Sequence, residues 1–257
     1  MSLPTARGQV FSDVADAYER ARPGYPAEIV DQIISLTAPT TESVVLDLGA
    51  GTGKMTRLLS ARIARVVAVE PQASMREHAR ATAPQVAIVG GHGEDIGLPD
   101  GAVDGVVVAT AFHWFAGHAA LEEIARVLRP GGVLVLVWNR DDPAAPWHER
   151  ENAILDEFGR AAQRRHWSDW QDAFTHRVLF GPMHASRTPH LHVVDVDTAI
   201  DLVSSVSFVA AMDDDDRLHA LQALRSLYEQ HASADGTLAM PLHADLYWTR
   251  RLVAASP

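Results

Sequence analysis

The sequence predicts an α/β fold, a doubly wound and mostly parallel sheet with helices on both faces. Three observations predict it. Short β-branched apolar runs alternate with segments whose apolar positions recur at helical spacing. A glycine-rich turn, Gly49-Ala50-Gly51-Thr52-Gly53, stands between the first such run and the first such helix. The cluster Arg129-Pro130-Gly131-Gly132 ends a helical segment and launches the run VLVLVW.

The first core strand is VVLDL at 44–48, apolar on both faces as a central parallel strand should be. Met55, Leu58, Leu59 and Ile63 then mark a helix from Lys54, and Val66 to Val69 a second strand. The alternation continues with a helix at 73–82, strands at 86–89 and 103–109, a helix at 118–128 and a strand at 133–138. After Asn139 the pattern changes to DDPAAPW and a helical stretch through about residue 176, read as a cap insertion. A sixth strand is expected near 187–194 and helix over 197–231, with Asp213 to Asp216 capping a helix from about Arg217. A seventh strand near 242–248 is expected to run antiparallel at or near an edge. Right-handed crossovers leave a crevice at the carboxyl ends of the strands, where a ligand should sit.

A chain of 257 residues can bury one sizeable core with appended helices, so a single domain over 1–257 is expected. Its binding core would span about 43–140, and its helical cap about 1–36, 143–177 and 197–231. Hydrophobic residues at 47% and charged residues at 21% are ordinary globular usage. The formal charge of −11, from 33 acidic and 22 basic residues, repels phosphate chains and anionic lipid and argues against nucleic acid and membrane partners. The basic group Arg160, Arg164 and Arg165 reads as a solvated helix face. No cysteine is present, which removes disulfides, thiolate catalysis and thiolate metal sites. The start lacks a signal-like apolar stretch and no run reaches the ~20 residues of a membrane span, so a cytoplasmic location is expected. His190-Leu191-His192 sets two imidazoles on one strand face without a third ligand; an exposed strand face explains the pair, and no metal is expected.

The segment Asp47-Leu48-Gly49-Ala50-Gly51-Thr52-Gly53 carries the chemistry. Glycines there permit a tight turn and close backbone approach to a ligand. A Walker loop fails, because Leu48 lies five before Gly53 and Met55 follows Lys54. The dinucleotide fingerprint fails because Lys54 stands where its third glycine belongs. Asp47 inside the strand end would sit badly beside a pyrophosphate and well beside an ammonium. Glu70 follows it by 23 residues (70 − 47), where nucleoside-binding folds place the acid that holds ribose hydroxyls. A nucleoside with an amino-acid end and no phosphate fits both, and S-adenosylmethionine is the common cofactor of that description.

VLDLGAGTGK followed by VAVEP resembles the first two motifs of class I S-adenosylmethionine-dependent methyltransferases, a Rossmann-like fold whose sheet has seven strands with an antiparallel last strand. GHGEDIGLPDGAVD, ATAFHWF and RVLRPGGVLVLVWN resemble later motifs of the same family, so the likeness covers roughly residues 9–140. The N-terminal FSDVADAYERARPGYP resembles the segment before the first strand in the branch containing trans-aconitate methyltransferases. The resemblance implies that Asp47, Gly49 and Gly51 border the methionine end, that Glu70 holds the ribose, that Met75 packs near the adenine and that Gly93 and Glu94 face the adenine edge, with Ala50, Thr52, Pro71 and Ala109 as further cofactor-binding candidates. Met75 reads equally as core.

On the acceptor side, His113 in FHWF is a candidate general base or a hydrogen-bonded residue orienting its loop, and Trp114 with Phe115 a pocket wall. Phe11, Val14, Ala15 and Tyr18 share one helical face that would dock on the sheet, while Tyr18, Arg22 and Tyr25 could close the crevice. Arg22 or Arg140 would orient a carboxylate acceptor. The expected function is methyl transfer to a small-molecule carboxylate, hydroxyl or amine by a monomer or homodimer. The alternatives are a non-catalytic S-adenosylmethionine binder and a nicotinamide-dependent oxidoreductase.

Overall fold

The computed structural model describes residues 22–38, 40–159, 169–175 and 179–253. Tyr18, the face of Phe11, Val14 and Ala15, and the basic group Arg160, Arg164 and Arg165 lie outside the described residues.

In chain order the elements are α1 (Ala27–Thr37), β1 (Val44–Leu48), α2 (Lys54–Ser60), β2 (Arg65–Val69), α3 (Ala73–Thr82), β3 (Ala87–Val89), β4 (Val103–Ala109), a 3-10 turn (Phe112–Trp114), α4 (His118–Val127) and β5 (Leu128–Asp141). There follow α5 (His148–Glu157), a 3-10 segment (Asp169–Phe174), β6 (His184–Asp195), α6 (Val196–Ser204), α7 (Ser207–Ala210), α8 (Asp214–His231) and β7 (Thr237–Arg250). The seven strands form one sheet in the order β3-β2-β1-β4-β5-β7-β6. β1 to β5 pair in parallel. β7 runs antiparallel to β5, as Gly131 N–H donates to Arg251 O and Asp142 N–H to Pro241 O. It is antiparallel to β6 as well, with Gly181 N–H on Arg250 O and Leu252 N–H on Leu179 O.

The chain divides into two compact units. The described residues of the first are 25–38, 40–139, 169–175, 179–188 and 244–253. Its strands alternate between two buried layers: Val45, Val107 and Val135 face one, with Ile29, Ile33 and Leu59. Leu46, Val106 and Leu134 face the other, with Leu121, Ile124 and Phe112. Burial on both faces explains why these runs are nearly continuous in apolar residues. Helix α1 starts after Pro26, which cannot donate an N–H, and buries Ile29, Ile33 and Thr37 at four-residue spacing. It lies so close to β4 that a Cβ on Gly105 would come within 2.4 Å of Thr37 Cβ, which accounts for a glycine in the middle of a strand. Residues 27–36, part of the segment expected in the helical cap, thus belong to the helix that packs on the sheet.

The second unit contains 22–24, 140–159 and 189–243 among its described residues. Trp147, Leu155, Val203, Leu224 and Tyr228 form its core, with the Trp147 and Tyr228 rings 6.3 Å apart, edge to face. Asp195 caps α6 by accepting Thr198 N–H at 2.6 Å, and Asp213 caps α8 by accepting Asp216 N–H at 2.9 Å. The acidic run therefore does cap a helix, one that begins at Asp214 rather than Arg217.

β7 is antiparallel and lies between β5 and β6, next to the edge that β6 forms, as expected of a last strand near an edge. Other expectations are corrected. Helix over 197–231 is broken into three at Ser205-Val206 and at Ala211 to Asp213. Arg129 to Gly132 stay inside β5 as an irregularity in its pairing with β4: Val103 faces Leu128, yet Gly105 faces Val133. Gly131 there has φ 79°, which lets the extra residues bulge outward. His190 and His192 lie on the half-covered face of β6, with Leu191 and Val193 on the exposed one. Burial, then the neighbouring His192 and His243, holds the His190 imidazole below its ordinary range.

Candidate active site

Chain direction in the sheet reverses between β1, which leads to β2, and the adjacent β4, which leads to β5. Loops diverge at such a point and leave a crevice at the carboxyl ends of the strands. Two loops meet there: Gly49 to Gly53 after β1 and Thr110 to Phe115 after β4. Gly49, Gly51 and Gly53 have φ of 75°, 56° and 85°, the left-handed conformation that favours glycine. At Gly49 the space is short as well, since a Cβ would lie 2.7 Å from that of Ala111.

Asp47, near the end of β1, is completely buried. The Thr56 hydroxyl, one turn into α2, donates to its Oδ2 at 2.6 Å, whereas Oδ1 has no hydrogen-bond partner among the described residues. Burial pushes its carboxyl up to about 7; the Thr56 donation opposes the rise and the Glu70 charge adds to it. Glu70 follows β2 and is also buried. Its Oε2 accepts Gly51 N–H at 3.0 Å and its Oε1 accepts Gln72 N–H at 2.9 Å. Burial raises this carboxyl too, against the two N–H donors and Arg76. Glu70 thus ties the glycine loop to the end of β2 and retains further lone pairs for a ligand. Gln72 Oε1 is a second buried acceptor with no partner among the described residues. Buried polar atoms are rarely left unsatisfied, so Asp47 Oδ1 and Gln72 Oε1 suit the donors of a ligand.

The structure brings most of the sequence candidates into this unit. Ala50 and Ala109 are half-buried against the core, Thr52 and Met75 are buried, and Pro71 is exposed with its carbonyl accepting from Arg76. Gly93 has another reason to be glycine: a Cβ there would lie 2.3 Å from Cδ2 of Phe115, whose ring also stands 3.8 Å from a Cβ built on Gly49. Phe115 therefore spans the crevice wall between the glycine loop and Gly93. Glu94 is exposed and sits 3.6 Å from His92. Arg22 and Arg140 belong to the other unit.

His113 occupies the 3-10 turn Phe112–Trp114, its ring 4.8 Å from that of Trp114. Trp138 at the end of the buried run of β5 donates its indole N–H to His113 Nδ1 at 3.3 Å. In the neutral ring the proton then lies on Nε2, which makes that atom a donor and not a base. Tyr25, expected near the acceptor, shares a hydrogen bond of 2.9 Å with the Thr110 hydroxyl. Thr110 has φ 53°, unusual for a β-branched residue, and its N–H donates to Val137 O.

Sequence reasoning missed Thr56, Gln72, Trp138 and the Tyr25–Thr110 pair. Thr56 alone carried a local signal, a hydroxyl in the first turn of the helix after the glycine loop. The other three are set by tertiary contacts.

Comparisons agree with this geometry. A methyltransferase domain family model matches residues 46–136. An uncharacterised methyltransferase of Mycobacterium tuberculosis is 37% identical over 234 residues, 90% of this chain and 91% of the relative. An uncharacterised methyltransferase-like protein of Schizosaccharomyces pombe is 36% identical over 207 residues, 80% of each chain. A solved structure from Anaeromyxobacter dehalogenans, provisionally assigned as a type II methyltransferase, shares the fold with a TM-score of 0.66 at 23% identity over 91% of this chain and 99% of its own. With its glycine loop at the reversal of the sheet and its two buried acids, the chain belongs to the class I S-adenosylmethionine-dependent methyltransferases.

Proposed function

We propose that this protein binds S-adenosylmethionine in the crevice after β1 and β4 and transfers its methyl group to a small-molecule acceptor in the cytoplasm. The observation that carries the reading is the pair of buried carboxyls, Asp47 and Glu70, on either side of the glycine loop, with Asp47 Oδ1 unpartnered among the described residues. Two buried acids oppose a phosphate and favour a ligand with an ammonium and hydroxyls. In that site Asp47 would meet the amino-acid end, Glu70 the ribose, and Phe115 with Met75 the nucleoside.

When bound, the cofactor supplies an electrophilic methyl group on a sulfonium. The protein's part is alignment and exclusion of water. Phe112, Phe115, Trp170 and Phe174 form a connected aromatic cluster behind the His113 turn, with Phe112 to Phe115 ring centroids 5.5 Å apart. With Nδ1 engaged by Trp138, His113 orients an acceptor as a donor through Nε2, an arrangement suited to an acceptor that needs no deprotonation by this ring.

Calorimetric titration with S-adenosylmethionine, with NAD as control, tests the reading. Saturable binding of the former alone is expected, and binding of NAD instead would overturn it. Turnover to S-adenosylhomocysteine with a panel of small carboxylic acids, phenols and amines separates a catalyst from a binder.

A further inference from the structure

We propose that Thr56 is a positioning residue for cofactor capture: its hydroxyl fixes the buried Asp47 side chain through Oδ2, leaving Oδ1 to receive a cationic N–H of the ligand. The inference rests on the cofactor reading above. Thr56 and Asp47 are both completely buried, and the 2.6 Å bond joins the hydroxyl to Oδ2 alone. That donation favours the charged form, in a place where burial opposes it.

The charged surroundings leave this role to Thr56. From β2, Glu70 adds a like charge that disfavours ionisation of Asp47. From α2, Arg57 directs its guanidinium to Thr52 O and to the Thr82 hydroxyl, and Lys54 stands at the start of the same helix. From β4, the residues paired with β1 are Gly105, Val106 and Val107, which carry no charge. Free Asp47, pushed up to about 7, is partly protonated near neutrality. A cationic ligand favours the carboxylate, so binding releases a proton and affinity rises with pH through about 7, until the ligand's own α-amino group begins to lose its proton at about pH 8. Without the Thr56 hydroxyl the carboxylate loses its donor, and the rise moves to higher pH.

Calorimetry between about pH 6 and about pH 9 with S-adenosylmethionine reads this directly, with 5′-methylthioadenosine as the probe lacking the ammonium. We expect Thr56→Val to weaken S-adenosylmethionine binding about tenfold at neutral pH and to shift the rise to higher pH. Thr56→Ser should restore both, and 5′-methylthioadenosine should show neither effect. A Thr56→Val protein that melts like the wild type and keeps its pH profile would overturn the proposal, as would the same pH dependence with 5′-methylthioadenosine. Should Thr56→Val fail to fold, Asp47→Asn decides: its binding should lose the rise between about pH 6 and 7, and a retained rise overturns the proposal. Absence of S-adenosylmethionine binding to the wild type at every pH is a different result, which overturns the cofactor reading and this inference with it.

Discussion

Substituting Gly93 by alanine adds one methyl group at the point where Phe115 crosses the crevice wall. The new Cβ would stand 2.3 Å from Cδ2, 2.6 Å from Cγ and 2.8 Å from Cε2 of the ring. Carbon atoms settle at roughly 3.5–4.0 Å, so the ring must retreat by more than about 1 Å. Retreat is restricted, because Phe115 packs edge to face on the fully buried Phe112. Overpacking of this kind costs about 1–3 kcal/mol. For a chain of this size each kcal/mol lowers Tm by roughly 2–4 °C, so Gly93→Ala should melt about 2–12 °C below the wild type. Because the collision is with the ring, Phe115→Leu should recover part of the loss, and a double-mutant cycle should give a coupling of at least about 0.5 kcal/mol. Thermal unfolding of the four proteins without cofactor measures it. If Gly93→Ala melts like the wild type, or the two losses simply add, Phe115 does not dictate the glycine.

Three further outcomes are expected. Gly105→Ala drives a Cβ to 2.4 Å from Thr37 Cβ and should destabilise by about 1–3 kcal/mol in urea unfolding, with Thr37→Ser as partial relief. Asp47 binds a proton more tightly folded than unfolded, so the native state binds more protons between about pH 4 and 7 and stability falls as pH rises through that window. The shift corresponds to a term on the order of 4 kcal/mol at most; urea midpoints of Asp47→Asn should decline less from pH 5 to pH 8 than those of the wild type, and parallel curves would refute the argument. Tyr25→Phe removes the bond to Thr110 and should cost about 1 kcal/mol in thermal unfolding; a change below about 0.3 kcal/mol would show that the hydroxyl does not hold the strained turn.

Local sequence revealed what local physics controls. Val44–Leu48 lies between Ser43 and Gly49 and Ala73–Thr82 follows Pro71-Gln72, and the observed elements have the limits read from the sequence. The glycine loop and its two acids were legible because left-handed turns and buried charge restrict residue choice strongly. The Arg129 to Gly132 cluster misled because turn residues also build bulges, and only the register against β4 distinguishes the two. His190 and His192 misled for a related reason: alternation shows which residues share a face, and not which face is covered. The contact between Phe115 and Gly93 joins positions in two different loops, and the Trp138 donation to His113 bridges β5 and a turn after β4. Neither pairing has a sequence period.

The insertion of β7 between β5 and β6 bears on how the chain is assembled during synthesis. The ribosome releases β1 to β5 first, and these can pair in parallel as they emerge. β6 comes next, yet its neighbour in the finished sheet is β7, made after it. At ~5–20 residues per second, the stretch of about 40 residues from the end of β6 to the start of β7 takes several seconds to appear. Throughout that interval one edge of β5 waits for its neighbour, with the apolar run Val133 to Trp138 behind it, so the growing chain carries an unpaired strand edge until β7 is made.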